Sequence, residues 1–338
     1  MASPKIPNDI ILFHYPFSPY ARRIVWYLTL RNIPYAQCLQ PPPPPRPDLA
    51  ALGVSYRRIP LCSIGGSIYA DTRAILSALE RLFPASASHP PLSSASTAGI
   101  SALLSSFTID GGVFTRAAQL LPTHLPIMQD PRFAADRTDF TGAKFSPTTL
   151  DRVRPEAEAH MRRLWDVYET LLSDGRTWIG SADATSPGLA DIEGVWPLDW
   201  MGELGSLPKE LFGPEAYPKT TAWAARFKGA VKEARKRNPE AAKAVTVKGD
   251  VAFDFITSAK RAVVGVDAKD PTGLKEGQEV MVWPIDTGFN HKDKGRLVGL
   301  DKEEVVIAVK TKKDPSKEVL LHAPRLGFRV VPTSAAKL

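Results

Sequence analysis

A hydroxyl at the start of a helix is the first chemistry this sequence offers. Residues 14 to 20 read His-Tyr-Pro-Phe-Ser-Pro-Tyr, after the apolar run Ile10-Ile11-Leu12-Phe13 and before an apolar-rich run from 21 to 29. The first run predicts a strand and the second a helix. Ser18 then falls at the helix N-cap and Pro19 at the first helical position. Both types suit those places, because the Ser oxygen accepts an orphan backbone N–H and Pro has no N–H to lose. The N–H groups at a helix start attract anions, and a thiolate is one anion they stabilise. Tyr15 and Tyr20 are rival hydroxyls beside Ser18. Each also has a structural reading: Ser18 as a cap only, the tyrosines as packing.

The second half of the pattern lies some forty residues on. Tyr56-Arg57-Arg58-Ile59-Pro60-Leu61 leads into Cys62-Ser63-Ile64-Gly65-Gly66-Ser67-Ile68-Tyr69, which predicts a strand, a Gly-Gly hairpin turn and a second strand. Asp71 is a candidate N-cap for a following helix, in which Ile75, Leu76, Leu79 and Leu82 keep helical spacing. Residues 10 to 84 therefore read strand, helix, strand, loop, strand, strand, helix.

Three segments in this order, P-F-S-P-Y-A-R-R, R-R-I-P-L and Y-A-D-T-R-A-I-L, make the chain resemble the glutathione S-transferase superfamily. With S-P-Y and D-T-R it looks most like divergent fungal members. The resemblance implies a thioredoxin-like N-terminal domain and roles residue by residue. Ser18 takes the place of the catalytic Ser or Cys that handles the substrate thiol. Pro60 matches a cis-proline that presents the backbone of Ile59 to the cysteinyl unit of glutathione, like an added strand. Asp71 and Thr72 match the acidic–Ser pair that holds the γ-glutamyl end. The family usually has Glu-Ser or Gln-Ser there, so this pair is shorter in reach. Where the family often grips the glycyl carboxylate, this chain has Pro41 through Pro45, favouring polyproline II without backbone donors. Arg46, Arg57 and Arg58 are all candidates for that grip.

Composition sets outer bounds. The chain has 338 residues, 43% of them hydrophobic, enough for two or three domains with sizeable cores. No run approaches the ~18 apolar residues of a membrane span, and the N-terminus lacks an apolar signal segment, so a cytoplasmic protein that avoids membranes is expected. Cys38 and Cys62 are the two cysteines. They predict small core residues rather than a disulfide scaffold or metal site. Ser18 and Ala21 stand where a C-x-x-C redox motif would have its cysteines. The net charge of +7 is spread: residues 245 to 338 carry 16 Lys/Arg against 13 Asp/Glu. Lys232, Arg235, Lys236 and Arg237 suit the dipole of a helix end, so nucleic acid is not an expected partner.

Past a Ser/Pro/Ala-rich linker at 85–98, residues 99–244 read as helical. Ile100, Leu103, Leu104 and Phe107 open one helix, and residues 150 to 172 carry the clearest apolar stripe. Residues 122 to 147 read as irregular, lying over a surface or lidding a cleft. Trp178-Ile179-Gly180 followed by Gly188 and Asp191 is similar to the superfamily's second-domain signature, with Asp191 at position N3 of a capped helix. Trp196 and Trp200 share a face of that helix and read first as core. Residues 250–338 predict one helix over 250–262 and then short alternating strands, the pattern of a small, partly open β-barrel of SH3-like size. His291 and His322 have no metal-ligand spacing, and no metal is expected.

The expected fold is thus α+β and multidomain: a thioredoxin-like domain (1–84), an all-helical domain of the transferase type (99–244) and a β-rich SH3-like unit (250–338). The leading functional reading, implied by the resemblance, is a glutathione-dependent transferase or isomerase, a homodimer acting in detoxification or specialised metabolism. Ser18 would stabilise the thiolate, and Phe107, Phe114 and Trp200 would hold a small apolar electrophile. The other reading is a non-catalytic binding or scaffold protein whose β-unit mediates protein interaction or dimerisation.

Overall fold

The structure, a computed structural model, describes residues 5–180, 185–261 and 265–335; the unit ends expected at Met1, Ala262 and Leu338 lie outside that range. The first unit runs β1 (Ile10–His14), α1 (Pro19–Leu30), β2 (Ala36–Leu39), α2 (Pro47–Ala51), β3 (Leu61–Ile64), β4 (Ser67–Ala70) and α3 (Thr72–Leu82). β1 pairs in parallel with β2 and antiparallel with β3, and β3 turns back onto β4. Gly65 sits in that turn at φ +58°, and a Cβ there would come 2.8 Å from the Lys260 carbonyl. β1 is apolar from Ile10 to Phe13 because it is covered on both faces. Ile10 and Leu12 join one core, while Ile11 and Phe13 join another.

The first core is shared with the helical unit: α4 (Ala98–Ile109), α5 (Val113–Gln119), α6 (Pro131–Thr141), α7 (Pro147–Leu171), α8 (Leu189–Leu204), α9 (Lys209–Phe212), α10 (Pro218–Arg237) and α11 (Pro239–Ala242). α8 is its axis, and its Asp191 does what the N3 position predicts. The buried carboxylate accepts N–H groups of Gly188 (2.8 Å), Ile179 (2.8 Å) and Gly180 (3.3 Å) and the Trp223 indole (2.7 Å). Four donors satisfy a charge that burial alone would expel. The irregular reading of residues 122 to 147 needs correcting, because α6 lies inside it. Asp130 caps this helix by accepting the Arg132 N–H at 2.8 Å, and Pro131 opens it. Its weak apolar periodicity hid it, although Asp-Pro is a start signal.

The last unit holds β5 (Val245–Thr246), α12 (Gly249–Ser258), β6 (Glu279–Pro284), β7 (Asp293–Leu300), β8 (Glu304–Lys310), β9 (Glu318–Pro324) and β10 (Phe328–Pro332). The strand-rich pattern is where the alternation places it. These strands do not stand apart, however. β9 pairs in parallel with β4, through Ser67–Leu320, Ile68–Leu321 and Tyr69–His322, so one ten-stranded sheet runs β10-β6-β7-β8-β9-β4-β3-β1-β2-β5. An unpaired β4 edge would leave backbone groups without partners, and β9 fills that role. Val280, Val282, Leu297, Val305, Ile307, Val319 and Leu321 then extend the same core as Ile11, Phe13 and Ile68. His322 is fully buried at this seam, its Nδ1 3.0 Å from Glu304 Oε2 and its ring 4.3 Å from that of Tyr69. Among the described residues no helix is long and apolar enough to cross a membrane.

One carboxyl ties the two sheet halves. Asp293, buried in β7, accepts backbone N–H groups of Ser55 (2.5 Å) and Tyr56 (3.0 Å), yet burial pushes its pKa up from 3.8 to about 7. A carboxyl raised in the folded state binds more protons folded than unfolded. Its contribution is therefore most favourable below pH 4 and is lost as pH rises to about 7, by up to ~1.4 kcal/mol per pH unit. Asp293→Asn is expected to flatten the fall in denaturant-measured stability between pH 5 and 7. Parallel pH profiles for the two proteins would contradict this.

Candidate functional site

The end of β1, the start of α1, the β3 approach and the start of α3 converge on one cavity of about 220 Å³. Tyr15, Ser18, Tyr20, Ile59, Pro60, Asp71 and Thr72 all line it, so residues up to 57 positions apart in sequence meet. Ser18 is extended (φ −69°, ψ 121°), is 2% exposed and caps α1, its Oγ accepting the Ala21 N–H at 3.2 Å. The Ile59–Pro60 bond is cis. Asp71 caps α3 by accepting the Arg73 N–H at 3.1 Å. It does so at φ +72°, a backbone state that costs a non-glycine residue free energy and tends to cluster at functional sites.

Electrostatics separate the three hydroxyls. Burial pushes the Tyr20 phenol far up, and its ring is 5.3 Å from Phe114 and 5.0 Å from Trp196. Tyr15 is raised too, chiefly by burial, with the charges of Arg46 and Arg137 opposing and a side-chain hydrogen bond to Ser18. Neither tyrosine is poised as a phenolate. Ser18 has the helix start behind it and needs no ionisation to donate.

Beneath the polar floor lies a buried ion pair the sequence did not signal. Arg23, fully buried on α1, donates to Thr72 Oγ1 at 2.6 Å and pairs with Glu193 of α8. Burial raises the Glu193 pKa, and the Arg23 charge and hydrogen bond oppose that rise. The pair fixes the Thr72 oxygen as an acceptor toward Arg23.

Of the arginines considered for a carboxylate grip, two have carboxylate partners. Arg57 pairs with Asp136 and lies 5.0 Å over the Phe140 ring; Arg58 pairs with Asp286 and is 4.0 Å from Asp71. Arg46 is held by carbonyls of the proline segment and Arg57, including Pro41 at 3.0 Å, and burial lowers its pKa to about 10. Arg137 of α6, not singled out in the sequence, also lines the cavity with Phe140, so this stretch does cover the cleft. Asp286 and Thr287 come from the β6–β7 turn of the last unit. No residue of that unit was singled out for the site from the sequence; the folded sheet brings these two into it.

A second cavity, about 370 Å³, adjoins the first across Tyr15, Pro19, Phe114, Arg137 and Phe140. Its walls are apolar: Phe17, Leu121, Met128, Phe133, Val153 and Trp200. Phe114 and Trp200 stack at 5.6 Å with an interplanar angle of 5°. Two of the three residues expected for an apolar pocket are therefore in it. Phe107 is not: it lines neither cavity and is 37% exposed. The i+3/i+4 stripe of a short helix does not tell which neighbour each face meets. Cys38 and Cys62 are buried free thiols, both raised by burial, Cys38 to about 12. His291 hydrogen-bonds Asp139 at 2.8 Å. Among the described residues no cluster of His, Cys, Asp and Glu could hold a metal ion.

Residues 12–87 match the family described as glutathione S-transferase, N-terminal domain, and residues 116–236 match a domain of unknown function, DUF7962. No curated protein matches the chain. Among solved structures, a GST-like protein from Pseudomonas syringae is similar over 96% of this chain and 99% of its own, with TM-score 0.71 and 22% identity. The beta-etherase LigF from Sphingobium sp. strain SYK-6 covers 68% of this chain and 99% of its own, with TM-score 0.51 and 15% identity. A glutathione S-transferase from Sinorhizobium meliloti 1021 covers 67% and 92%, with TM-score 0.51 and 13% identity. At these identities the structures speak for fold alone, and the Pseudomonas syringae protein shares nearly the whole architecture. With the thioredoxin-like sheet, the capped α1 and α3 and the family match together, residues 12–87 are a glutathione S-transferase N-terminal domain, and the chain as a whole has a glutathione S-transferase-like fold.

Proposed function

We propose that this protein binds glutathione in the polar cavity and transfers it to, or uses it to isomerise, an apolar electrophile held in the adjoining one. The observation that carries this reading is the shared wall of the two cavities: Ser18, Asp71 and Thr72 on one side, Phe114 and Trp200 on the other. Asp71 and Thr72 receive the γ-glutamyl end, the backbone of Ile59 pairs with the cysteinyl unit, and Arg46 with Arg137 receives the glycyl carboxylate. The thiol then lies at the start of α1, where the Ser18 hydroxyl and the helix N–H groups favour thiolate over thiol. Binding both reactants side by side supplies most of the rate by proximity. A homodimer and a role in detoxification or specialised metabolism belong to the same proposal and rest on the family alone.

Ser18→Ala tests the assignment. Loss of the cap costs about 1 kcal/mol of stability, which leaves the fold intact. The apparent pKa of bound glutathione, read from thiolate ultraviolet absorbance, is expected to rise by about a unit, the effect of losing one hydrogen bond to the charged form. If wild type and variant titrate alike, Ser18 is only a cap.

A further inference from the structure

The β6–β7 turn reaches the candidate site from the last unit, and it is held there firmly. The Gly288 N–H donates to the Phe140 carbonyl at 2.7 Å, and Asn290 and His291 reach Asp139 at 3.2 and 2.8 Å. Arg58 Nε donates to the Thr287 carbonyl at 3.0 Å, and the same guanidinium pairs with Asp286. The Asp286 side chain is nonetheless 53% exposed and lines the cavity. Its carboxylate and that of Asp71 converge on one guanidinium. Asp110, also on the cavity wall, is paired with Arg73 at 2.6 Å. Three carboxylates therefore face two guanidinium groups at this end, an excess of one negative charge.

We infer that Asp286 is a specificity-determining residue that receives, together with Asp71, the α-ammonium of the γ-glutamyl end of the ligand. A cation placed between two carboxylates that already share one guanidinium completes the local charge balance and gains charge-assisted hydrogen bonds. The third unit thereby selects for ligands with a free amino group at this end. This inference rests on the glutathione reading of the same site.

Calorimetric titration of the full chain with glutathione, and with its analogue lacking the α-amino group, tests it in wild type and Asp286→Asn. Wild type is expected to prefer glutathione by about tenfold or more, the scale of one charge-assisted hydrogen bond. In Asp286→Asn the analogue binds within about twofold of its wild-type affinity, while the preference for glutathione falls at least about threefold. An unchanged preference in the variant overturns the inference and leaves the glutathione reading standing. So does equal weakening of both ligands, which would make Asp286 only a support for Arg58. Failure of wild type to bind glutathione at all overturns both. Should Asp286→Asn not fold, Asp286→Ser, which also suits a turn, carries the same comparison.

Discussion

Cutting the chain after Lys248 is expected to give an aggregating fragment rather than a smaller folded protein. About half of the described buried members of the second core lie beyond that point, from Ala252 and Phe253 through Val280, Leu297, Ile307 and Leu321 to Ala323. Those residues leave with their segment, so the fragment loses the cover they give its own half of that core, roughly 1.5–3 kcal/mol for each aliphatic side chain left fully exposed. A whole domain is stable by only about 5–15 kcal/mol. The cut would also uncover one face of Ile11, Phe13 and Ile68 and free the β4 edge for pairing with other chains. Light scattering and a thermal melt of the purified fragment check this. A monomer with a cooperative melt would show that the last unit is dispensable to the first.

Removing the Arg23 side chain is expected to be nearly as damaging through a single residue. Arg23→Ala leaves Glu193 buried without its countercharge and leaves Thr72 Oγ1 without its donor. Breaking one side of a buried pair costs about 3–5 kcal/mol, because the stranded charge keeps its desolvation penalty. The penalty belongs to the stranded partner, so the double variant Arg23→Met with Glu193→Leu is expected to recover most of the loss. Chemical denaturation of the two variants and wild type measures this. A single variant within about 1 kcal/mol of wild type, or a double variant no better than the single, would contradict the account of the pair.

The parts of the site legible in the sequence were those written in local chemistry. Ser-Pro after a strand and Asp-Thr after a hairpin are capping signals that fix where an oxygen stands relative to a helix axis. Asp191 was readable for the same reason, from its place at N3 of a capped helix. What could not be read depends on pairing across distance. Nothing in Leu320-Leu321-His322 says that its partner is Ser67-Ile68-Tyr69 rather than another strand of its own unit, because an edge strand accepts any well-placed neighbour. Once that seam forms, Asp286 and Thr287 are carried into the cavity, and their turn composition carries no trace of it. Nothing local to Arg23 signals its burial; only the arrival of Glu193, 170 residues away, makes that burial tolerable. Phe107 was misplaced because helical spacing identifies a stripe without saying what the stripe faces.

The central claim is that a polar cavity for glutathione opens directly onto an apolar one. Calorimetric titration with glutathione and with S-hexylglutathione tests it most directly. Both ligands are expected to bind at one site per chain. The S-hexyl compound should bind at least about tenfold tighter, because its chain enters the pocket of Phe114, Phe133 and Trp200 and each buried methylene is worth about 0.8 kcal/mol. No binding of either ligand, or equal affinity for the two, would contradict the account.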